Sequence, residues 1–325
     1  MLWAIALFLI SFLVNTSSLA QSNTADNILP NPKPNVSDWT IKTLEHVNIF
    51  SGELSFISKD FLMVSKGPKL ALVRQYNSQS IYNGMFGIGW RSDFDINLTQ
   101  DGKGNVTLFN EQGNTLYFTN HSGIFTSSTG NNDKLTEDAD FTFTLTDKNG
   151  STTIYGTNGR FSSRTDANGN ALTFVYNPGQ YGGTYIQDAS GDQIKLYFDF
   201  HGHVNSAVDS KGKTFQYAYD INGNLVNVID PTGVDTDYYY NLNHQMTQIS
   251  DINGHKTYYQ YDDMRRVVKS LKDGNSNKIT FDYVGNNTTI VTDSSGKHTY
   301  AFDDSGSLTF TDSLTLGWGS KSGSF

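Results

Sequence analysis

Apolar side chains recur at every second position in short runs along the C-terminal half of the chain, and a cluster of turn-forming residues bounds each run. In DSKGKTFQYAYDINGNLVNVID, residues 209–230, Phe215, Tyr217 and Tyr219 alternate with other residues. That period of two predicts a strand with one aromatic face. Leu225, Val226, Val228 and Ile229 run back as a β-rich strand that is apolar on both faces. Asp209 and Gly212 stand at the first and fourth positions of a type I turn, where the Asp side chain bonds the backbone ahead of it. Asp220 to Gly223 makes a second turn. One unit is therefore a hairpin.

The unit repeats. Asp147, Asp166, Asp188, Asp209, Asp230, Asp251, Asp273, Asp293 and Asp312 follow one another at intervals of 19 to 22 residues. Asp188 with Gly191, Asp230 with Gly233 and Asp251 with Gly254 open the same layout as Asp209 with Gly212, whereas the copies at Asp147, Asp166, Asp273 and Asp293 are looser. A period this steady predicts an array in which each unit buries its apolar surface against its neighbours. The expected fold is all-β, a long antiparallel meander, and such an array is a surface or a container before it is a catalyst.

Two stretches carry a family resemblance. YDINGNLVNVID (Tyr219 to Asp230) and YDDMRRVVKSLKD (Tyr261 to Asp273) resemble the YD (Rhs) repeat. Upstream, SGELSFISKDFLMVSKGPKLALVRQYNSQSIYNGMFGIGW from Ser51 resembles the domain of unknown function that opens many Rhs-type shells. The matching residues are Gly52, Asp60, Gly67, Leu70, Arg74, Tyr76, Asn77, Ser78, Gly87, Gly89 and Trp90, with Ser51 where that family more often has Thr. The resemblance implies a YD-repeat spiral shell, partial or open, after an N-terminal β domain. Related toxin-complex cocoons, Rhs proteins and teneurins wind such strands around a hollow, and in the toxins the hollow holds a C-terminal effector.

Three departures qualify that expectation. Only SLTLGWGSKSGSF follows Asp312; the segment ending in Asp-Pro-x-Gly-Leu has no counterpart, since Asp230-Pro231-Thr232-Gly233 lies inside the array; and the array is short. Eight hairpins supply about 16 strands, a ribbon of roughly 75–80 Å at ~4.8 Å per strand, which would close into a tube about 25 Å across. A 100-residue effector has a radius of gyration of ~13 Å and would not fit with its lining side chains. The expectation is a wall segment, a short or truncated relative of the toxin shells.

Composition adds compartment and partner. The 325 residues are 37% hydrophobic and only 17% charged, with 21 Phe, 18 Tyr, 30 Gly and 6 Pro, the profile of strands and turns. Leu2 to Val14 is an apolar run followed by Ser18-Leu19-Ala20, so residues 1–20 read as a cleaved signal peptide, too short for a membrane span. Residues 21–45 read as an exposed leader, 46–125 as the N-terminal β domain, 126–312 as the array and 313–325 as a Gly/Ser tail. The expected destination is outside or on the surface of a bacterial cell. Absence of Cys excludes disulfide staples and Cys lipidation. A net charge of −9 without a basic cluster argues against nucleic acid and acidic membranes.

Candidate chemistry is sparse. His201 and His203 form an H-x-H pair at a turn with no third ligand nearby, and the Asp-x-Asn-Gly turns lack the closing Glu of a calcium loop, so no metal or other cofactor is expected. Asp262/Asp263 and Asp303/Asp304 fall at turns, and no nucleophile elbow or phosphate loop occurs, so no catalytic site is expected. Arg74 shares strand parity with Leu70, Leu72 and Tyr76 and requires a carboxylate, Asp60 or Asp93. Trp90 behind Gly87 and Gly89 reads as a core anchor. Tyr238, Tyr239, Tyr240, Tyr258 and Tyr259 offer an alternative function, an exposed aromatic row for stacking on a glycan, against the competing role of cross-strand packing. The strand from Tyr300 to Phe310, with little protective charge, is an expected edge for self-association or for a second shell protein.

Overall fold

The structure is a computed structural model that describes residues 46–110, 115–127, 132–176, 184–251, 253–273 and 277–312. The expected signal peptide, leader and tail lie outside the described residues. Every regular element within them is a strand. In chain order these begin with β1 (Ser55–Leu62), β2 (Ala71–Asn77), β3 (Asn83–Gly84), β4 (Gly87–Ile88), β5 (Trp90–Ser92), β6 (Asn97–Gln100), β7 (Val106–Phe109), β8 (Thr115–His121) and β9 (Ile124–Ser127). β1, β2 and β5 form one sheet, β3 and β4 a small hairpin, and β6 to β9 a four-stranded meander.

The remaining strands, from β10 (Lys134–Glu137) to β27 (Leu308–Thr311), make one 18-stranded antiparallel sheet in strict sequence order. Its first and last strands do not pair, so the sheet is open. The Asp spacing predicts about 16 strands; the two it misses are β10 and β11 (Phe143–Thr146), which precede Asp147. Their connecting turn puts Phe141 at φ 64° where most of the later turns put Gly, so the Asp–Gly signature is absent from the sequence there. The change from the four-stranded sheet to the large one falls between Ser127 and Lys134, so the expected 125/126 boundary lies inside β9.

The turns form as their residues dictate. Around Asp209 the Gly212 N–H donates to the Asp209 carbonyl at 3.0 Å, while Asp209 Oδ1 accepts the Lys211 and Lys213 amides at 2.8 and 2.9 Å. Asp188, Asp230 and Asp251 hold their turns in the same way. Alternate turns lie on opposite rims of the sheet. On one rim a register shift recurs beside turns 156–159, 199–202, 220–223, 241–244, 262–265 and 303–306, for example between Ala218 and Tyr219, while the 138–141 and 285–287 turns of that rim have none. The extra residue is the second of the return strand, Val226 in the 220–223 hairpin, and the first, Leu225, pairs with Tyr219 beyond the shift.

One face of the sheet carries the buried row Leu196, Ala207, Tyr217, Val228, Tyr238, Tyr259, Phe281, Val291 and Tyr300. Residues 46–98 pack on that face. Phe94 meets Phe161 and Phe174, Phe86 meets Tyr217, Trp90 meets Tyr238, Phe56 meets Tyr259 and Phe50 meets Phe302, with ring centroids 5.1 to 6.3 Å apart. The hollow implied by the family resemblance is here filled by the chain's own N-terminal segment. A single core runs from Val47 to Phe302.

Candidate binding surface

The inner seam is centred on Arg74. Its guanidinium is buried and donates to Asp60 through Nε and through Nη2, the latter at 2.9 Å, and to Ser58 Oγ at 3.0 Å. Asp60, rather than Asp93, is thus its carboxylate. Asp60 also accepts the Tyr217 hydroxyl at 2.7 Å, which ties the N-terminal segment to the array. The guanidinium carbon lies 4.9 Å from the Trp90 ring centroid and 5.2 Å from that of Tyr217. Burial works against the charge, but Asp60 more than compensates and holds the Arg74 pKa above its usual value.

The other motif residues join the two parts. The Tyr76 hydroxyl accepts the Met246 N–H at 2.8 Å, and the Ser78 carbonyl accepts Arg265 Nη2 at 2.8 Å. The Asn77 amide donates to the Gly89 carbonyl, and Trp90 Nε1 donates to the Tyr240 hydroxyl at 3.0 Å. At Gly87, φ is 82° and an added Cβ would stand 2.5 Å from the Gly223 carbonyl oxygen, so only glycine permits this approach. The Val204, Met246 and Val267 N–H groups, displaced by the bulges, are each taken by the N-terminal segment: by Met85 O, Tyr76 Oη and Gly52 O, all at 2.8 Å.

Sequence reasoning missed the complementary half of this device. Tyr219, Tyr261 and Tyr283 donate their hydroxyls to the carbonyls of Val204, Met246 and Val267 at 2.7, 2.6 and 2.7 Å. These three tyrosines staple their units to the ones before, whereas Tyr240, at the same repeat position, accepts from Trp90 instead. Burial pushes the Tyr219 and Tyr261 pKa values well up, so these hydroxyls remain donors at neutral pH. The 21-residue spacing of Tyr219, Tyr240 and Tyr261 was the available signal, but a spacing names no acceptor.

The five-tyrosine row does not survive as one surface. Tyr238 and Tyr259 are buried in the core, and the Tyr240 hydroxyl is engaged with Trp90 beneath the sheet. Consecutive strand residues point to opposite faces, so Tyr238 to Tyr240 cannot all be displayed together. Tyr239 and Tyr258 remain on the outer face, registered on either side of Gln248, and Tyr239 is 50% exposed. Two strand spacings set them about 9.6 Å apart.

The remaining candidates are committed locally. His203 stacks on Tyr219 at 4.6 Å, with its Nε2 3.2 Å from Asn83 Oδ1, whereas His201 is exposed in the turn. Burial lowers the His203 pKa. Asp230 Oδ1 is occupied by Thr232 and Val234, and the Thr232 hydroxyl bond holds its pKa below the usual carboxylate value. Asp262 is paired with Arg266 at 2.7 Å. Among the described residues, no group of three or more His, Asp or Glu side chains is arranged to hold a metal ion. β27 pairs with β26 (Gly296–Phe302), and its four residues are exposed.

A family model described as a domain of unknown function (DUF6531) matches residues 44–118. No curated protein matches the chain. Similar solved structures include the Photorhabdus luminescens Tc holotoxin pore, 11% identical with a TM-score of 0.30 over 64% of this chain and 16% of that one. The TcdB2-TccC3 complex without its hypervariable C-terminal region is 12% identical, with a TM-score of 0.30 over 62% of this chain and 16% of that one. The chain spans about a sixth of the length of these structures.

Proposed function

We propose that this chain is an exported, non-enzymatic wall element of the Rhs/YD-repeat kind, built to present its outer face and rims to partners while its inner face is sealed. One observation carries the reading. The residues able to do chemistry are used for assembly: Arg74, Asp60, Tyr76 and Trp90 lock the N-terminal segment to the array. Turn aspartates such as Asp209 bind their own amides. A face filled in this way walls off space and does not hold cargo within the described residues. Limited proteolysis of the purified chain tests the seal. Residues 46–98 should resist cleavage as long as the array does, and their early release from an intact array would overturn the reading.

Export is part of the same proposal. Secreted material should begin at Gln21 by intact mass, from the Ser18-Leu19-Ala20 site; a cytosolic product retaining Met1 would refute it. A second reading is favoured by the outer-face placement of Tyr239 and Tyr258: these rings bind a glycan by stacking. On a glycan array, binding should persist in EDTA and fall in Tyr239→Ala and Tyr258→Ala. Binding that is lost in EDTA and restored by calcium would point to the Asp turns instead.

A further inference from the structure

The turn tips of the bulged rim are apolar where turn tips are ordinarily polar. Phe200, Ile221, Leu242 and Met264 occupy four successive turns of that rim and are 92%, 100%, 96% and 72% exposed. Phe200, Ile221 and Leu242 stand second in their turns and Met264 third, after Asp263; second-position residues on the opposite rim include Lys148, Ala167, Ala189, Ser210 and Pro231, with Ile252 outside the described residues. The half-exposed Ile81 joins the apolar set. It lies in the N-terminal stretch between Ser78, which meets Arg265, and Asn83, which meets His203. The ladder is therefore continuous with the seam that already binds one polypeptide segment along this rim. Large side chains fully in water in such a row mark an interaction surface.

Spacing and charge select the occupant. Successive tips are two strands, about 9.6 Å, apart. An α-helix repeats a face every seven residues, about 10.5 Å, so three heptads follow the four tips closely. An extended strand repeats its face at about 6.7 and 13 Å and does not match. The tips are flanked by the carboxylates of Asp199, Asp220 and Asp263, whereas Asp262 is paired with Arg266 and Arg265 is turned onto the Ser78 carbonyl. A second copy would match the spacing but bring like charges together, and a lipid surface would have to accept a carboxylate beside nearly every tip. We infer that this rim docks a basic amphipathic helix of a partner protein, its apolar stripe lying on Phe200, Ile221, Leu242 and Met264.

The test uses the full chain and a synthetic probe. A fluorescent 22-residue helix carrying Leu at the a and d heptad positions and Lys elsewhere on the flanks should bind at micromolar concentration by anisotropy. A permuted peptide of the same composition should bind at least tenfold more weakly. Ile221→Asn with Leu242→Asn, at turn positions that tolerate Asn, should weaken the helix at least tenfold while leaving the far-UV circular dichroism unchanged. No binding, equal binding of the permuted peptide, or undiminished binding to the double variant would overturn the inference. So would a concentration-dependent dimer in sedimentation, or flotation with phosphatidylcholine vesicles, that the same substitutions abolish. The tips lie outside the sealed face, so failure here leaves the proteolysis test of the wall reading standing.

Discussion

Arg74 is the residue on which the seam turns. It is a fully buried cation whose carboxylate, Asp60, comes from the neighbouring strand and whose flat faces meet aromatic rings from both parts of the molecule. Removing one member of a buried pair strands the other, at a cost of about 3–5 kcal/mol, whereas replacing both with apolar groups is often neutral. Arg74→Met should accordingly lower stability by about that amount in urea titration. Adding Asp60→Leu should recover most of the loss; no recovery would show that the Asp60 contacts to Tyr217 matter more than the charge pair. Arg74 was legible as a buried arginine from its parity with Leu70 and Leu72. Its choice of Asp60 over Asp93 was not, because both lie within reach in sequence and it follows from the β1–β2 pairing, in which Ser58 stands opposite Arg74 and Asp60 sits at the bulge.

At the scale of the element, the hairpin unit depends on a turn at each end and a tyrosine staple. Tyr219→Phe removes one hydroxyl and leaves the Val204 carbonyl without its donor, which should cost about 1–3 kcal/mol in a denaturant midpoint experiment. An unchanged midpoint would mean that water replaces the hydroxyl. The turn aspartates make the units acid-sensitive. Hydrogen bonds to their carboxylates hold the pKa values of Asp166, Asp230 and Asp303 below the usual carboxylate value of about 4. Below that value the unfolded chain takes up protons before the folded one does. Their contribution is therefore present above about pH 4 and is lost as pH falls through the folded values. The urea midpoint should decline between pH 5 and pH 3, and Asp166→Asn with Asp230→Asn should flatten that decline. The hairpins were legible because Asp and Gly at fixed offsets are the local chemistry of a turn. The bulges were not, because they follow from the paired strand across the turn.

For the whole molecule, the 18-stranded sheet and residues 46–98 share one core, so they should unfold together. Among the described residues Trp90 is the only tryptophan, and it reports on the seam. With Trp3, Trp39 and Trp318 replaced by Phe, its fluorescence and the far-UV circular dichroism should give coincident transitions in urea. An earlier fluorescence transition would show that the segment leaves the sheet before the sheet melts. That outcome would also weaken the proposal that the inner face is permanently sealed.

The sequence by itself determined what is local and periodic: strands of period two, Asp–Gly turns about 21 residues apart, and hence an all-β meander whose members pair in sequence order. It also marked Arg74, Trp90, Gly87 and Gly89 as architectural, since their types and spacing are constrained by backbone approach and burial. What only the tertiary structure decided are contacts between residues 150 or more positions apart, such as Trp90 with Tyr240 and Tyr76 with Met246. Those contacts turned an expected hollow into a filled face and divided five consecutive-looking tyrosines between core and surface. They left Phe200, Ile221, Leu242 and Met264 in water on one rim. The reason is physical: local pattern sets which way a side chain points relative to its strand, and only the packing of another segment against the sheet decides which of the two faces becomes the inside.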